Sequence, residues 1–179
     1  MIKWKEAESL KVPDGLKVHY DSGVLEVSGK LGKVTRNLAN NYLRIALEKG
    51  VIKIEKSKDN RYTNAIVGTW VSEIHNMFRG VAEGFTYTMK VDYTHFPMRV
   101  SVRGQELVVE NFLGERSPRI AEILGVTKIA IKGDRITLTG IDKRDIGETC
   151  SNIERATKIR GFDLRIFQDG IFPIEEEVE

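Results

Sequence analysis

Two stretches of the sequence concentrate side chains able to hold anions. The first is Asn111-Phe112-Leu113-Gly114-Glu115-Arg116-Ser117-Pro118-Arg119, which follows the strand-like Glu106-Leu107-Val108-Val109-Glu110. Its Gly, Ser and Pro predict a loop, on which Arg116 and Arg119 can reach a phosphate or simply keep the loop soluble. The second gathers Arg144, Arg155, Lys158, Arg160 and Arg165. If residues 145–159 are helical, Arg155 points directly away from Ile146, with Arg144 and Lys158 near the same bearing. One face of that helix is then apolar and the other cationic, beside Phe162 and Phe167. Guanidinium groups on such a face can bind phosphates in bidentate fashion. Spacing alone leaves two readings open, a phosphate-holding face and a plain solvated one.

Other chemistries find little support. His19, His75 and His95 fall in three different elements, and none has a second ligand at the i, i+4 or paired-cysteine spacing of a metal site. The single cysteine, Cys150, lies on an apolar helical stripe and reads as an inert buried thiol. One cysteine also excludes a disulfide framework. No Gly-x-Ser-x-Gly elbow is present. Gly23 to Lys30 superficially resembles a phosphate loop, but its spacer is one residue too long and Leu31 stands where a magnesium-binding Ser or Thr belongs. Arg160-Gly161-Phe162-Asp163-Leu164-Arg165-Ile166-Phe167 partly fits the strand pattern of RNA-recognition domains, with Asp163 and Arg165 departing from it. The expectation is therefore no catalytic residue, no metal and no cofactor. A small-substrate enzyme, which needs convergent titratable groups, is the disfavoured rival.

The elements that must position these residues are short. The 179-residue chain is 41% hydrophobic and 30% charged, enough to bury a core and too apolar for a disordered chain. No run reaches the ~18–20 apolar residues of a membrane helix. Residues 1–6, Met-Ile-Lys-Trp-Lys-Glu, lack the apolar core of a signal peptide, so a cytoplasmic location is expected. Residues 1–90 are net +5, and residues 91–168 are net +2 before five acids in the last eleven residues. A mildly basic body of this kind suits a polyanion or an ordinary solvated surface.

Period-two alternation broken by turn residues predicts antiparallel hairpins. Residues 18–29, with the turn Asp21-Ser22-Gly23, align without a gap to residues 129–140. Gly68-Thr69-Trp70-Val71-Ser72-Glu73-Ile74 similarly resembles Gly147-Glu148-Thr149-Cys150-Ser151-Asn152-Ile153. Each of the latter pair lies in a segment of helical periodicity, carried by Ile66, Trp70, Ile74, Met77 or Phe78 and Val81 in one, and by Ile146, Cys150, Ile153 and Thr157 in the other. These correspondences predict an internal duplication in the α+β class, two similar domains each with a small antiparallel sheet and one packed helix. The boundary is expected near Gly84, giving domains 1–84 and 85–179. Unequal repeat offsets predict a longer excursion in the first copy, through Leu31 to Leu38 and Val51 to Glu55.

The duplicated plan, the run Val27-Ser28-Gly29-Lys30-Leu31-Gly32 and the helix from Gly68 through Asn76-Met77-Phe78-Arg79-Gly80-Val81 resemble the L-six family of large-subunit ribosomal proteins. His95-Phe96-Pro97, Asn111-Phe112-Leu113-Gly114 and Phe167-Gln168-Asp169-Gly170-Ile171 resemble its archaeal and eukaryotic branch, and the likeness runs nearly end to end. It implies a two-domain protein of the cytoplasmic ribosome, bound to large-subunit rRNA near the sarcin–ricin loop, where translational GTPases dock, beside neighbouring ribosomal proteins. It implies no membrane and no obligate homo-oligomer. It also implies that the second domain, 85–179, carries most of the RNA contact, through Arg116, Ser117, Pro118 and Arg119 and through Arg144, Arg155, Lys158, Arg160 and Arg165. The glutamate-rich end, residues 173–179, departs from the basic ending of bacterial members and is expected to face solvent or a basic neighbour. The alternative reading is a free-standing RNA-binding or regulatory module.

Overall fold

The computed structural model describes residues 4–48 and 50–174; the five C-terminal residues of the acidic end lie outside the described residues. The chain divides into two compact units, Met1–Gly84 and Phe85–Glu179. Both are α+β and every strand pairing is antiparallel, the expected class. No described helix is long and apolar enough to cross a membrane.

The first unit runs β1 (Lys5–Lys11), β2 (Lys17–Asp21), β3 (Val24–Ser28), β4 (Lys33–Asn37), β5 (Leu43–Glu48), β6 (Val51–Lys56) and α1 (Arg61–Ala82). The strands form two sheets, β1–β6–β5 and β2–β3–β4, and α1 packs on strands of both. The β1 strand, at one edge, carries a bulge between Glu6 and Glu8. Ser22 and Gly23 both have positive φ, the conformation a two-residue hairpin turn demands and glycine adopts without strain. Leu25, Val27, Ile52, Ile54, Ile74 and Val81 are fully buried between the sheets and the helix. A capping box starts α1: the Asn60 side chain accepts from the Thr63 N–H at 2.8 Å, and the Thr63 hydroxyl accepts from the Asn60 N–H at 3.2 Å. Its apolar face is Val67, Trp70, Ile74, Met77, Phe78 and Val81.

The second unit runs β7 (Phe85–Asp92), β8 (Arg99–Arg103), β9 (Glu106–Glu110), a 3-10 turn (Phe112–Gly114), β10 (Arg119–Glu122), β11 (Lys128–Lys132), β12 (Arg135–Gly140), α2 (Lys143–Ala156) and β13 (Gly170–Ile174). Its sheets are β8–β9–β10 and β11–β12–β7–β13, and α2 again packs on both. Met89, Leu107, Val109, Phe112, Ile136, Leu138, Ile146, Ile153 and Ile171 form the buried core. Pro173 and Ile174, read in the sequence as the start of the tail, end β13 instead.

The duplication is real, but its register differs from the expected one. In both units the first strand pairs with the second strand of the last hairpin, a three-stranded meander forms the other sheet, and a helix follows. The hairpins aligned in sequence therefore occupy different places: β2–β3 corresponds to β8–β9, and β11–β12 to β5–β6. Hairpins with two-residue turns and one buried face share the same alternation, so their likeness says nothing about topology. The supposed excursion through 31–38 and 51–55 holds β4 and β6, whose counterparts are β10 and β12. The helical correspondence does join equivalent elements, since its two stretches lie in α1 and α2.

Two glycines test this packing in opposite directions. Gly68 is exposed inside α1, and a Cβ there would meet nothing within 4 Å. Gly68→Ala is expected to raise stability by about 1 kcal/mol, read as a higher Tm. A Cβ on Gly29 would lie 2.7 Å from Leu16 Cδ2 and 2.8 Å from the Val81 carbonyl oxygen. Gly29→Ala is expected to cost roughly 1–3 kcal/mol by overpacking, a loss the same melts would read.

Candidate nucleic-acid interface

The loop after β9 and the end of α2 meet at one side chain. Arg119, the first residue of β10, is half-buried with its guanidinium 4.1 Å from the Phe112 ring centre. Its Nε and Nη2 donate to the two Glu115 carboxylate oxygens at 2.8 and 2.6 Å. Its Nη1 donates to the Ala156 and Lys158 carbonyl oxygens, both at 2.9 Å. The Ala156 carbonyl ends the helix and the Lys158 carbonyl lies two residues beyond it, so the arginine caps α2 while fixing the loop. The same pairing holds the Glu115 carboxyl below its usual range, against a smaller opposing effect of burial. Four of the five N–H donors of Arg119 are thus committed within the protein.

Around that fixed group the exposed cations are arrayed. Arg116, Ser117 and Pro118 are exposed on the loop. Arg155 and Arg160 are exposed and, with Arg119, Ile120 and Ala156, line a shallow cleft of ≈ 320 Å³. Arg155 and Lys158 also line the neighbouring groove of ≈ 690 Å³, whose apolar wall includes Ile159, Leu164, Phe167 and Phe172. The helix ends at Ala156, with Thr157 as its cap, so Lys158 does not share a helical bearing with Arg155 as the sequence predicted. Arg144 does share it, but lies about 16 Å away along the axis at the opposite end of α2. Arg165 is 89% exposed and makes two contacts to Asp163, at 3.2 and 3.1 Å. Thus Arg119, Arg155 and Arg160 share one cleft and Lys158 shares the neighbouring groove with Arg155, while Arg116, exposed on the loop, Arg144 and Arg165 line neither.

The segment 160–167 forms turns and no strand, so its partial likeness to an RNA-recognition strand is not realised. It carries instead an exposed apolar surface that spacing did not reveal: Phe162, Leu164 and Ile166, continued by Phe172 and Phe96. Three sequence motifs position it. The Asn111 side-chain amide donates to the Pro97 carbonyl at 3.0 Å, and the Phe96 ring lies against Gly114. His95 Nδ1 lies 3.0 Å from a carboxylate oxygen of Asp169, a residue 1% exposed. The His95 ring stacks on Phe167 at 4.4 Å, and Phe162 tilts onto Phe167 at 4.8 Å. Burial opposes ionisation of Asp169, but hydrogen bonds from the His95 ring and from the His95 and Thr94 N–H groups outweigh it and hold the carboxyl below its usual range. An ionised carboxylate only accepts, so Nδ1 carries the proton.

Among the described residues no group of three His, Cys, Asp or Glu side chains is placed to hold a metal. Cys150 is a free, half-buried thiol whose pKa is raised by burial.

Asp169→Asn is expected to cost about 1–3 kcal/mol at neutral pH. A depressed carboxyl contributes stability above the unfolded pKa of about 3.9 and loses it as pH falls through the folded value. Urea unfolding across pH should therefore show the gap between wild type and variant closing below about pH 4. Arg119→Lys is expected to cost about 2 kcal/mol, because a point charge cannot reproduce a fork that serves a carboxylate and two carbonyls. Unfolding curves of the two proteins check this.

A family model described as "Ribosomal protein L6" matches residues 96–170, which hold the loop, α2 and the segment that follows it. "Large ribosomal subunit protein uL6" of Picrophilus torridus is 55% identical over 178 residues, covering 99% of each chain. The protein of that name from Thermoplasma acidophilum is 53% identical over 176 residues, covering 98% of this chain and 99% of its own. That from Methanosarcina mazei is 41% identical over 170 residues, covering 95% and 97%. The chain belongs to the L6 family of large-subunit ribosomal proteins, in its archaeal branch.

Proposed function

We propose that this chain is a structural constituent of the large ribosomal subunit that grips rRNA mainly through the unit Phe85–Glu179. The observation that carries the reading is the union of the post-β9 loop and the end of α2 through Arg119, which sets Arg155 and Arg160 on one cleft, with Lys158 on the groove beside it and Arg116 exposed on the joined loop. Arg119 shapes the surface, since most of its donors are spent internally, and the exposed cations beside it meet phosphates. Ser117 and Pro118 hold the loop that presents Arg116, with the hydroxyl of Ser117 free to donate to a phosphate oxygen. Arg144 and Arg165 extend the contact at separate points.

Each phosphate neutralised releases counterions, so each contact weakens with salt, but several contacts on one rigid body hold together. No bond is made or broken. The work is to fix rRNA helices in place, near the sarcin–ricin loop at the base of the stalk, close to docking translational GTPases and to neighbouring ribosomal proteins of the cytoplasmic ribosome.

The test is Arg155→Glu together with Lys158→Glu. Both residues are exposed, so the melt of the isolated protein should shift by no more than about 0.5 kcal/mol. Co-migration with the large subunit on sucrose gradients should fall, most of all at high monovalent salt. Normal incorporation of the double variant sinks this face, and wild-type chain left at the top of the gradient favours the free-standing RNA-binding module.

A further inference from the structure

The sheet β11–β12–β7–β13 has a second face, turned away from the core and from α2. Its inner face presents Ile129, Leu138 and Tyr87 in one cross-strand row and Ile131, Ile136 and Met89 in the next. Its outer face follows from the same register. One row is Lys132, Arg135, Lys90 and Phe172; the next is Ala130, Thr137, Thr88 and Ile174; the third is Lys128, Thr139 and Thr86. Four cations and four threonines share this face with one acid, Asp92. Asp92, at the end of β7, pairs with Lys90 at 2.9 Å, and Asp134 lies in the adjoining turn. Lys128, Lys132 and Arg135 are exposed and make no ion pair among the described residues.

The duplication supplies an internal control. The equivalent face of β5–β6–β1 has the rows Arg44, Glu55, Glu6; Ala46, Lys53, Ser9; and Glu48, Val51, Lys11. There three cations meet three acids, and Arg44 pairs with Glu55 while Lys53 pairs with Glu48 and Glu6. Directly opposed like charges destabilise a sheet and opposite charges stabilise it. One copy of the face is balanced within itself; the other places Lys132, Arg135 and Lys90 side by side on consecutive strands, about 4.8 Å apart. An anionic partner relieves that repulsion.

We propose that this outer face is a second RNA-binding surface, which holds the phosphate backbone of a duplex segment distinct from the one gripped at the end of α2. Phosphates match its row of cations, and the exposed Thr86 and Thr139 hydroxyls can donate to phosphate oxygens beside them. Only Phe172 is aromatic, so the face lacks the stacking platform that single-stranded bases require, and a duplex backbone is the better fit. Because α2 covers the inner face of the same sheet, the two cationic surfaces lie on opposite sides of one unit. The unit can then bridge two RNA segments. This inference rests on the rRNA-binding reading above.

The experiment measures binding of the full chain to large-subunit rRNA across a series of monovalent salt concentrations, with chemical footprinting of the complex. Lys128→Glu/Lys132→Glu/Arg135→Glu is compared with the α2-end double variant and with their combination. A glutamine triple at the same three positions serves as the folding control, and it should melt no lower than wild type. The sheet variant is expected to weaken binding and to lower the slope of log affinity against log salt by about three, roughly one for each cation lost. It should unprotect nucleotides other than those unprotected by the α2-end variant, and the combined losses should multiply. An unchanged slope and footprint in both triple variants, with the α2-end variant still impaired, overturns the second surface and leaves the first standing. Unchanged RNA binding with loss from the large subunit assigns the face to an acidic protein and also overturns it. Failure of the wild-type chain to bind rRNA defeats the underlying reading instead.

Discussion

A guanidinium has five N–H donors to satisfy where it lies, and Arg119 lies half-buried against the Phe112 ring. That constraint organises the surface of the second unit. Glu115 folds back to meet it, which bends the loop, and the Ala156 carbonyl at the end of α2 and the Lys158 carbonyl just beyond it both accept from it. The exposed cations thereby sit on a body that loses little freedom when a ligand arrives, so less of their binding free energy is spent on ordering.

The chain beyond the helix is held by a second set of contacts. The Thr157 hydroxyl accepts from the Ile171 N–H at 3.2 Å, tying the helix cap to β13. Asp169, buried and ionised, accepts from His95 across 74 residues of sequence. Between these two anchors the chain is left outside the core. This is why Phe162, Leu164 and Ile166 remain exposed. Apolar surface beside guanidinium groups suits a partner with both phosphates and sugar or base faces.

Much of this was legible in the sequence, and for identifiable reasons. Trp70, Ile74 and Val81 recur at helical spacing because one side of α1 must meet two sheets, and Ile146 and Ile153 do so for α2. The hairpins could be read from turn residues and alternation. Their places in the repeat could not, because β2–β3 and β11–β12 obey the same local rules while pairing with different neighbours. Lys158 was misplaced because helical periodicity persists past Ala156, whereas the end of the helix is met by Arg119, 37 positions away in sequence. The two cation clusters were visible singly. That they adjoin was not, nor was the meeting of the 95–97, 111–114 and 167–171 motifs, since long-range hydrogen bonds leave no periodic trace.

The bulged edge strand has a different bearing, on life before assembly. A ribosomal protein is made away from its RNA and must survive as a free molecule, with unpaired strand edges among its liabilities. In the first unit β1 ends its sheet with Lys5, Glu6, Glu8 and Lys11 along it and a bulge between the two glutamates, features that discourage a foreign strand from docking. In the second unit the equivalent strand, β7, is covered by β13, the last strand of the described chain. One copy of the ancestral plan protects its edge by charge and distortion, and the other by supplying the missing neighbour itself. A nascent chain therefore completes its first unit from contiguous sequence alone. The second stays open to mispairing until its final strand arrives.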